Sequence, residues 1–186
     1  MNFNRYLTEA EFSELAAFIR REGVVRRFAR GERLSGQGLR SHRCGLVVQG
    51  AFRYVYADAA GEEHVVGYAF AGEFVGDYIS MCVDAPSQVT IGAMCGAEAL
   101  LVPGERLETF YRTDAACERL GRRLAEHMLA EVYERLLDRY AASPQQRYEA
   151  LTERCPDVLQ LVPLRELASY LGVRPETLSR IRRRVR

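Results

Sequence analysis

The segment "RPETLSRIRRRVR" at residues 174–186 holds six arginines in thirteen residues. Arginine presents a planar fork of five donors and stays charged at any working pH, so it matches a guanine edge or a phosphate. A run of this kind either grips nucleic acid or solvates a helix face. Leu178, Ile181 and Val185 recur at helical spacing, which predicts an inward face. Glu176, Thr177, Arg180, Arg183 and Arg184 are then left facing out, with Arg174, Ser179 and Arg182 as further candidate DNA contacts. Arg180 suits a bidentate contact to guanine, and Glu176 can accept from a cytosine amino group. Arg182, Arg183, Arg184 and Arg186 suit phosphates, which position a protein without reading sequence.

Such contacts need a second helix to hold the first. "VPLRELASYLGV" predicts one, with Leu164, Leu167, Ala168 and Leu171 on its buried face and Pro163 in its first turn. Gly172 supplies the positive φ at which a helix stops. Pro175 then opens the following helix, and Glu176 sits at the positive end of its dipole. A small residue for close crossing, a glycine turn, a proline start and an inward apolar triad together predict a helix-turn-helix. The competing reading is a helical hairpin with a solvated arginine face.

Upstream, "SPQQ" carries Ser143 at the N-cap, Pro144 at N1 and Gln146 at N3, a capping box that opens another helix. Before it, residues 114–142 run without proline, a helix about 40 Å long. Leu120, Leu124 and Met128 form one apolar stripe; Ala125, Leu129, Val132, Leu136 and Tyr140 form a second. Two stripes predict two packing partners, the chain's own body and the same helix of a second copy. The candidate dimer-helix residues are Leu120, Leu124, Met128, Leu129, Val132 and Leu136. "PGERLETFYRT" predicts a shorter helix before it.

Between Val24 and Val102 the pattern is of short strands: "VVRRFARG", "CGLVVQG", "AFRYVYAD", "EEHVVGYAF", "SQVTIGAMC" and "EALLVPG", divided by glycine turns. In the third, Phe52, Tyr54 and Tyr56 alternate against Arg53 and Val55. This spacing predicts a jelly-roll-like β-roll. "TEAEFSELAAFIRREG" predicts an amphipathic helix in front, with a Thr8–Glu11 capping box and Gly23 as its stop. The fold class is therefore α+β: a β-roll, a long dimerisation helix and a C-terminal all-α helix-turn-helix domain. The expected domains are residues 1–112, 113–142 and 143–186.

The chain has 186 residues and a net charge of +1. Residues 143–186 carry nine arginines against five acids, and residues 1–142 carry 17 against 20. An acidic body with a basic end predicts a nucleic-acid partner at that end. The five cysteines contain no CxxC pair, so buried or semi-buried free thiols are expected. The three histidines share no ligand spacing, so no metal, haem or other cofactor is expected. The polar N-terminus is unlike a signal peptide, and no apolar run could cross a bilayer, so no membrane partner and a cytoplasmic location are expected. Two other functions fit less of the pattern. One is a ligand-sensing β-roll whose basic end docks on a protein. The other is a cupin-type metal enzyme, which needs several converging histidines where only His64 lies in a central strand.

"LRELASYLGVRPETLSRIRRRV" resembles the helix-turn-helix of the Crp/Fnr family of bacterial transcription regulators. "GLVVQGAFRYVYADAAGEEHVVGYAFAGEFVGDY" is similar to that family's cyclic-nucleotide-binding domain. The resemblance implies a non-enzymatic homodimer that binds double-stranded DNA at a roughly palindromic site, responds to a small molecule, and works with RNA polymerase. It also implies an effector pocket near Gly76, Asp77, Tyr78, Ser87, Gln88, Met128, Val132 and Tyr133. Gly76 and Asp77 stand where cyclic-AMP-binding members have Gly-Glu. Ser87 and Gln88 stand where they have the Arg-Ser pair that neutralises the cyclic phosphate. A buried phosphate without a cation is costly, which points to another effector or none. Pro175 replaces a base-reading arginine, so a different target sequence is expected. The wing that usually follows the recognition helix is expected to be lacking, since the sequence stops at Arg186.

Overall fold

A computed structural model describes residues 3, 4 and 12–185. The expected Thr8–Glu11 capping box and Arg186 lie outside the described residues. The helix behind that box is α1 (Ser13–Glu22), which buries Leu15, Ala16, Phe18 and Ile19.

Eight strands follow where six were expected: β1 (Val24–Phe28), β2 (Arg33–Ser35), β3 (Arg43–Gln49), β4 (Ala51–Ala57), β5 (Glu63–Phe70), β6 (Phe74–Gly76), β7 (Thr90–Ala93) and β8 (Ala97–Pro103). The two additions, β2 and β6, are three residues long, too short for alternation to register in sequence. The strands form two antiparallel four-stranded sheets, ordered β1-β8-β3-β6 and β2-β7-β4-β5. Phe28, Val47, Phe52, Ile91 and Leu101 fill the space between them. Gly45 lets β3 and β8 close up: a Cβ there would lie 1.8 Å from the Leu100 carbonyl oxygen.

Phe52 is fully buried with Tyr54 beside it, while Val55 enters the core on the other side, as the alternation predicts; Tyr56, near the strand's end, is 43% exposed. It lies beyond Val55↔Thr90, the last β4–β7 pair. The β4–β5 register slips by one residue after Tyr54↔Gly67, leaving Val66 as the extra residue of a bulge.

Short α2 (Tyr78–Cys82) and α3 (Gly104–Tyr111) flank the second half of the roll. The long helix α4 (Ala115–Ala141) matches its expected extent, and its Asp114 N-cap accepts from the Ala116 and Cys117 amides. One α4 stripe faces the chain's own body: Leu120 and Leu124 are 7% and 5% exposed and pack with Leu15, Ile19 and Leu107. This corrects their assignment as dimer contacts, because the β-roll and α1 already cover them. Met128 is partly buried at the edge of that cluster. Leu129, Val132, Tyr133, Leu136, Leu137 and Tyr140 form an exposed apolar face on the same helix.

The Ser143 capping box opens α5 (Pro144–Arg154): Gln146 donates its amide to Ser143 Oγ and accepts the Ser143 amide. A four-residue helix, α6 (Val158–Leu161), precedes α7 (Leu164–Leu171) and α8 (Pro175–Val185). The outer face of β4–β5 shares one core with these helices, in which Ala51, Val55, Val65 and Tyr68 meet Tyr148, Leu151, Leu167 and Leu171. Cys155 is buried and Cys44 and Cys117 half-buried, but Cys82 and Cys95 are exposed, unlike the expected set. They lie on the short α2 and in the β7–β8 connection, where little covers them. Burial, and then the neighbouring Cys82, push the Cys44 thiol up to about 12, so it stays protonated at neutral pH.

Candidate nucleic-acid interface and effector cavity

Helix α7 ends on Gly172 at φ 65° and ψ 39°, the left-handed region. The Val173 and Gly172 amides donate back to the Ala168 and Ser169 carbonyls, so the glycine both stops the helix and satisfies its last acceptors. The Arg174 carbonyl accepts from the Leu178 amide and opens α8. Leu178 and Ile181 are buried against Leu167, Ala168 and Leu171, as the spacing predicts. Val185 is 42% exposed and is not part of that inward face, because α8 outruns the eight-residue α7. Arg174, Glu176, Thr177, Arg180, Arg183 and Arg184 are exposed, and Ser179 and Arg182 half-buried. One helix thus displays an acid and a threonine in its first turn and arginines from its middle to its last turn.

This pair of helices is fastened to the roll through α7. Ser169 Oγ accepts from the Val65 amide at 2.9 Å. Arg53 on β4 pairs with Glu166. Arg135 on α4 donates to the carbonyl of the bulged Val66 at 2.6 Å, and its guanidinium carbon lies 4.7 Å from the Tyr170 ring centre.

A cavity of about 620 Å³ opens between the roll, α4 and the C-terminal helices. Of the residues expected to line an effector pocket, Gly76, Asp77, Tyr78, Met128 and Val132 do so; Ser87, Gln88 and Tyr133 do not. Ser87 is drawn away by Asp77, whose Oδ2 lies 2.6 Å from both Ser80 Oγ and Ser87 Oγ, while its Oδ1 caps α2 through the Ser80 amide. The carboxylate expected to meet a ribose is therefore occupied within the protein. Gln88 is exposed, and Tyr133 turns outward, 58% exposed, on the free face of α4.

The other end of the cavity was not anticipated. Arg135, Arg139, Arg147 and Arg154 line it together, with Glu131 and Asp138. None of the four arginines forms an ion pair with a described residue. Arg147 donates to the Ala142 and Leu171 carbonyls, and Arg154 lies over the Phe3 ring. The Nε atoms of Arg147 and Arg154 are buried without a hydrogen-bond partner among the described residues. The sequence holds a faint sign of this cluster, an i, i+4 pair on α4 and an i, i+7 pair on α5, but nothing in it joins the two helices.

Asp58, Glu62 and His64 are the one set of three metal-type side chains within mutual reach among the described residues. Asp58 accepts from the Ala60 and Glu62 amides and from His64, which fastens the β4–β5 turn. No helix among the described residues is long and apolar enough to cross a membrane.

Residues 25–114 match the cyclic nucleotide-binding domain family. No curated protein matches the chain by sequence. Among solved structures, FixK2 from Bradyrhizobium japonicum superposes with a TM-score of 0.72 at 18% identity, covering 88% of this chain and 84% of that one. The c-di-GMP responsive global regulator CLP from Xanthomonas campestris gives 0.67 at 16% identity, covering 93% and 91%. The catabolite activator protein of Thermus thermophilus gives 0.58 at 20% identity, covering 94% and 82%. At such identities the likeness is one of fold. With a cyclic nucleotide-binding domain at residues 25–114 and the long helix and C-terminal helices following it, the chain shares the fold of these solved structures.

Proposed function

We propose that the chain is a DNA-binding transcription regulator, acting as a homodimer on a roughly palindromic site and answering to an effector other than cyclic AMP. The observation that carries this reading is the α7–Gly172–α8 unit with its arginine-bearing outer face. Helix α8 suits a major groove, with Glu176, Thr177 and Arg180 toward base edges and Arg182, Arg183 and Arg184 toward phosphates. Arg174 and Ser179 flank that surface. The exposed face of α4 supports pairing with a second copy, which would set two α8 helices about 34 Å apart, one turn of DNA. In cells the partners would be duplex DNA and RNA polymerase, in the cytoplasm.

Cyclic AMP is disfavoured because Ser87 Oγ and Ser80 Oγ are both taken up by the Asp77 carboxylate. A cyclic phosphate there would meet a carboxylate.

The test is site selection from random duplex DNA, followed by binding at several salt concentrations. A steep fall of affinity with salt and an enriched half-site support the reading. Arg180→Ala should relax discrimination at one base position, whereas Arg183→Ala should weaken all sequences alike. No duplex binding, or equal effects of both variants on specificity, would overturn it.

A further inference from the structure

Resting on the effector reading above, we infer that the cavity takes a small amphiphilic anion, held with its charged head toward the C-terminal helices and its apolar body toward the roll. The two ends of the cavity differ in charge. At the roll end Tyr54, Phe74 and Met128 offer apolar walls, and the one ionisable carboxylate there, Asp77, repels an anion. At the other end four guanidinium groups face Glu131 and Asp138, an excess of two positive charges. An anion is therefore recognised at the end opposite to the roll's own α2 turn.

The arginines are built to receive it. Their described partners are backbone carbonyls and aromatic rings, so no ion pair with a described residue takes up the excess charge. Two buried Nε donors stand without an acceptor among the described residues, a cost that an incoming anionic oxygen relieves. A volume of about 620 Å³ suits a ligand of drug-like size.

The position gives the ligand leverage. Arg135 and Arg139 belong to α4, and Arg147 and Arg154 to α5, on opposite sides of the Ser143 joint. One head group bound by all four ties the long helix to the helix-turn-helix unit. Arg139 also lies over the α7–α8 turn, where a Cβ on Gly172 would meet its Nη2 at 3.2 Å.

The probes are 8-anilinonaphthalene-1-sulfonate and the uncharged N-phenyl-1-naphthylamine, which share an aromatic body and differ in the anion. Both are titrated by fluorescence into the full chain. The sulfonate should bind saturably, one per chain. Arg139→Gln and Arg154→Gln should each weaken it by about tenfold while changing the neutral probe by less than about twofold. Arg139 is exposed, so its variant should keep the wild-type thermal midpoint, and Arg139→Lys should restore most of the sulfonate affinity. Met128→Trp, which fills the apolar end, should weaken both probes. Displacement of the sulfonate by phenyl phosphate but not benzoate assigns a phosphoryl head, and the reverse a carboxylate. The inference is overturned if neither displaces it, if the arginine variants weaken both probes equally or neither, or if no probe binds. These readouts contain no DNA, so failure of duplex binding and failure of this site are seen separately.

Discussion

The two stripes of α4 make opposite predictions, and one pair of substitutions separates them. Leu129 is 69% exposed, whereas Leu124, five residues earlier on the same helix, is 5% exposed. If the exposed stripe pairs with a second copy, Leu129→Ala removes about 1–2 kcal/mol of apolar burial per subunit. A two-fold interface counts each substitution twice, so the dimer loses about 2–4 kcal/mol, or about 30- to 1000-fold in Kd. Leu124→Ala instead opens a cavity inside one chain, costing about 2–5 kcal/mol of folding free energy. Sedimentation equilibrium gives the first quantity and urea unfolding the second. Unfolding must be compared at one protein concentration, because dimerisation itself stabilises the folded state. The expected pattern is a weakened dimer with Leu129→Ala and a weakened fold with an unchanged dimer Kd for Leu124→Ala. A wild-type monomer at micromolar concentration, or equal shifts of Kd in both variants, would refute the reasoning.

Further outcomes follow from two single residues. Glu73 is 2% exposed and accepts the Phe3, Asn4 and Phe70 amides and the Asn4 side-chain amide. Glu73→Ala strands those donors and should cost about 3 kcal/mol in chemical denaturation; a loss below about 1 kcal/mol would show that they find other acceptors. Burial, partly offset by those amides, raises the Glu73 carboxyl above its ordinary value of 4.5. The folded chain therefore keeps this proton to higher pH than the unfolded chain does. Its contribution is full below pH 4.5 and is lost as pH rises through the folded value, a slope absent in Glu73→Ala. Gly172→Ala forces a left-handed conformation on a β-carbon and should cost about 1–2 kcal/mol. Its thermal midpoint should fall by several degrees and its DNA affinity with it; an unchanged midpoint would mean the turn has another conformation available.

The parts of the molecule legible in sequence were those with local causes. The Ser143 box, the Gly172 stop and the proline-free run of α4 each depend on residues within a few positions of one another. The extent of α4, the start of α5 and the order of roll, long helix and terminal helices follow from them. What stayed hidden depends on contacts between distant segments. Leu120 and Leu129 are both leucines on one helix, and only the placement of α1 and the roll decides which faces inward. Asp77 and Ser87 looked like ligand groups because nothing in the chain says that α2 turns one onto the other. The four cavity arginines come from two helices whose relative placement is set by the shared core, so no motif announces them.

That core also determines how a change at the cavity reaches α8. The fastenings to the roll all fall on α7 and α4: Ser169 to Val65, Glu166 to Arg53, and Arg135 to both Val66 and Tyr170. Among the described residues, helix α8 buries Leu178 and Ile181 in the core it shares with α5 and α7. Helices α7 and α8 therefore share one packed interface, with Glu176, Thr177, Arg180, Arg183 and Arg184 of α8 exposed. Val65 and Val66 sit at the β5 bulge, so the same two residues bind α7 through one amide and α4 through one carbonyl. A group that takes Arg135 from the Val66 carbonyl frees the bulge from α4 while leaving it bound to α7. The cavity touches Val65, Val66, Arg135 and Tyr170 alike, so an occupant would act at a point where roll, long helix and α7 meet.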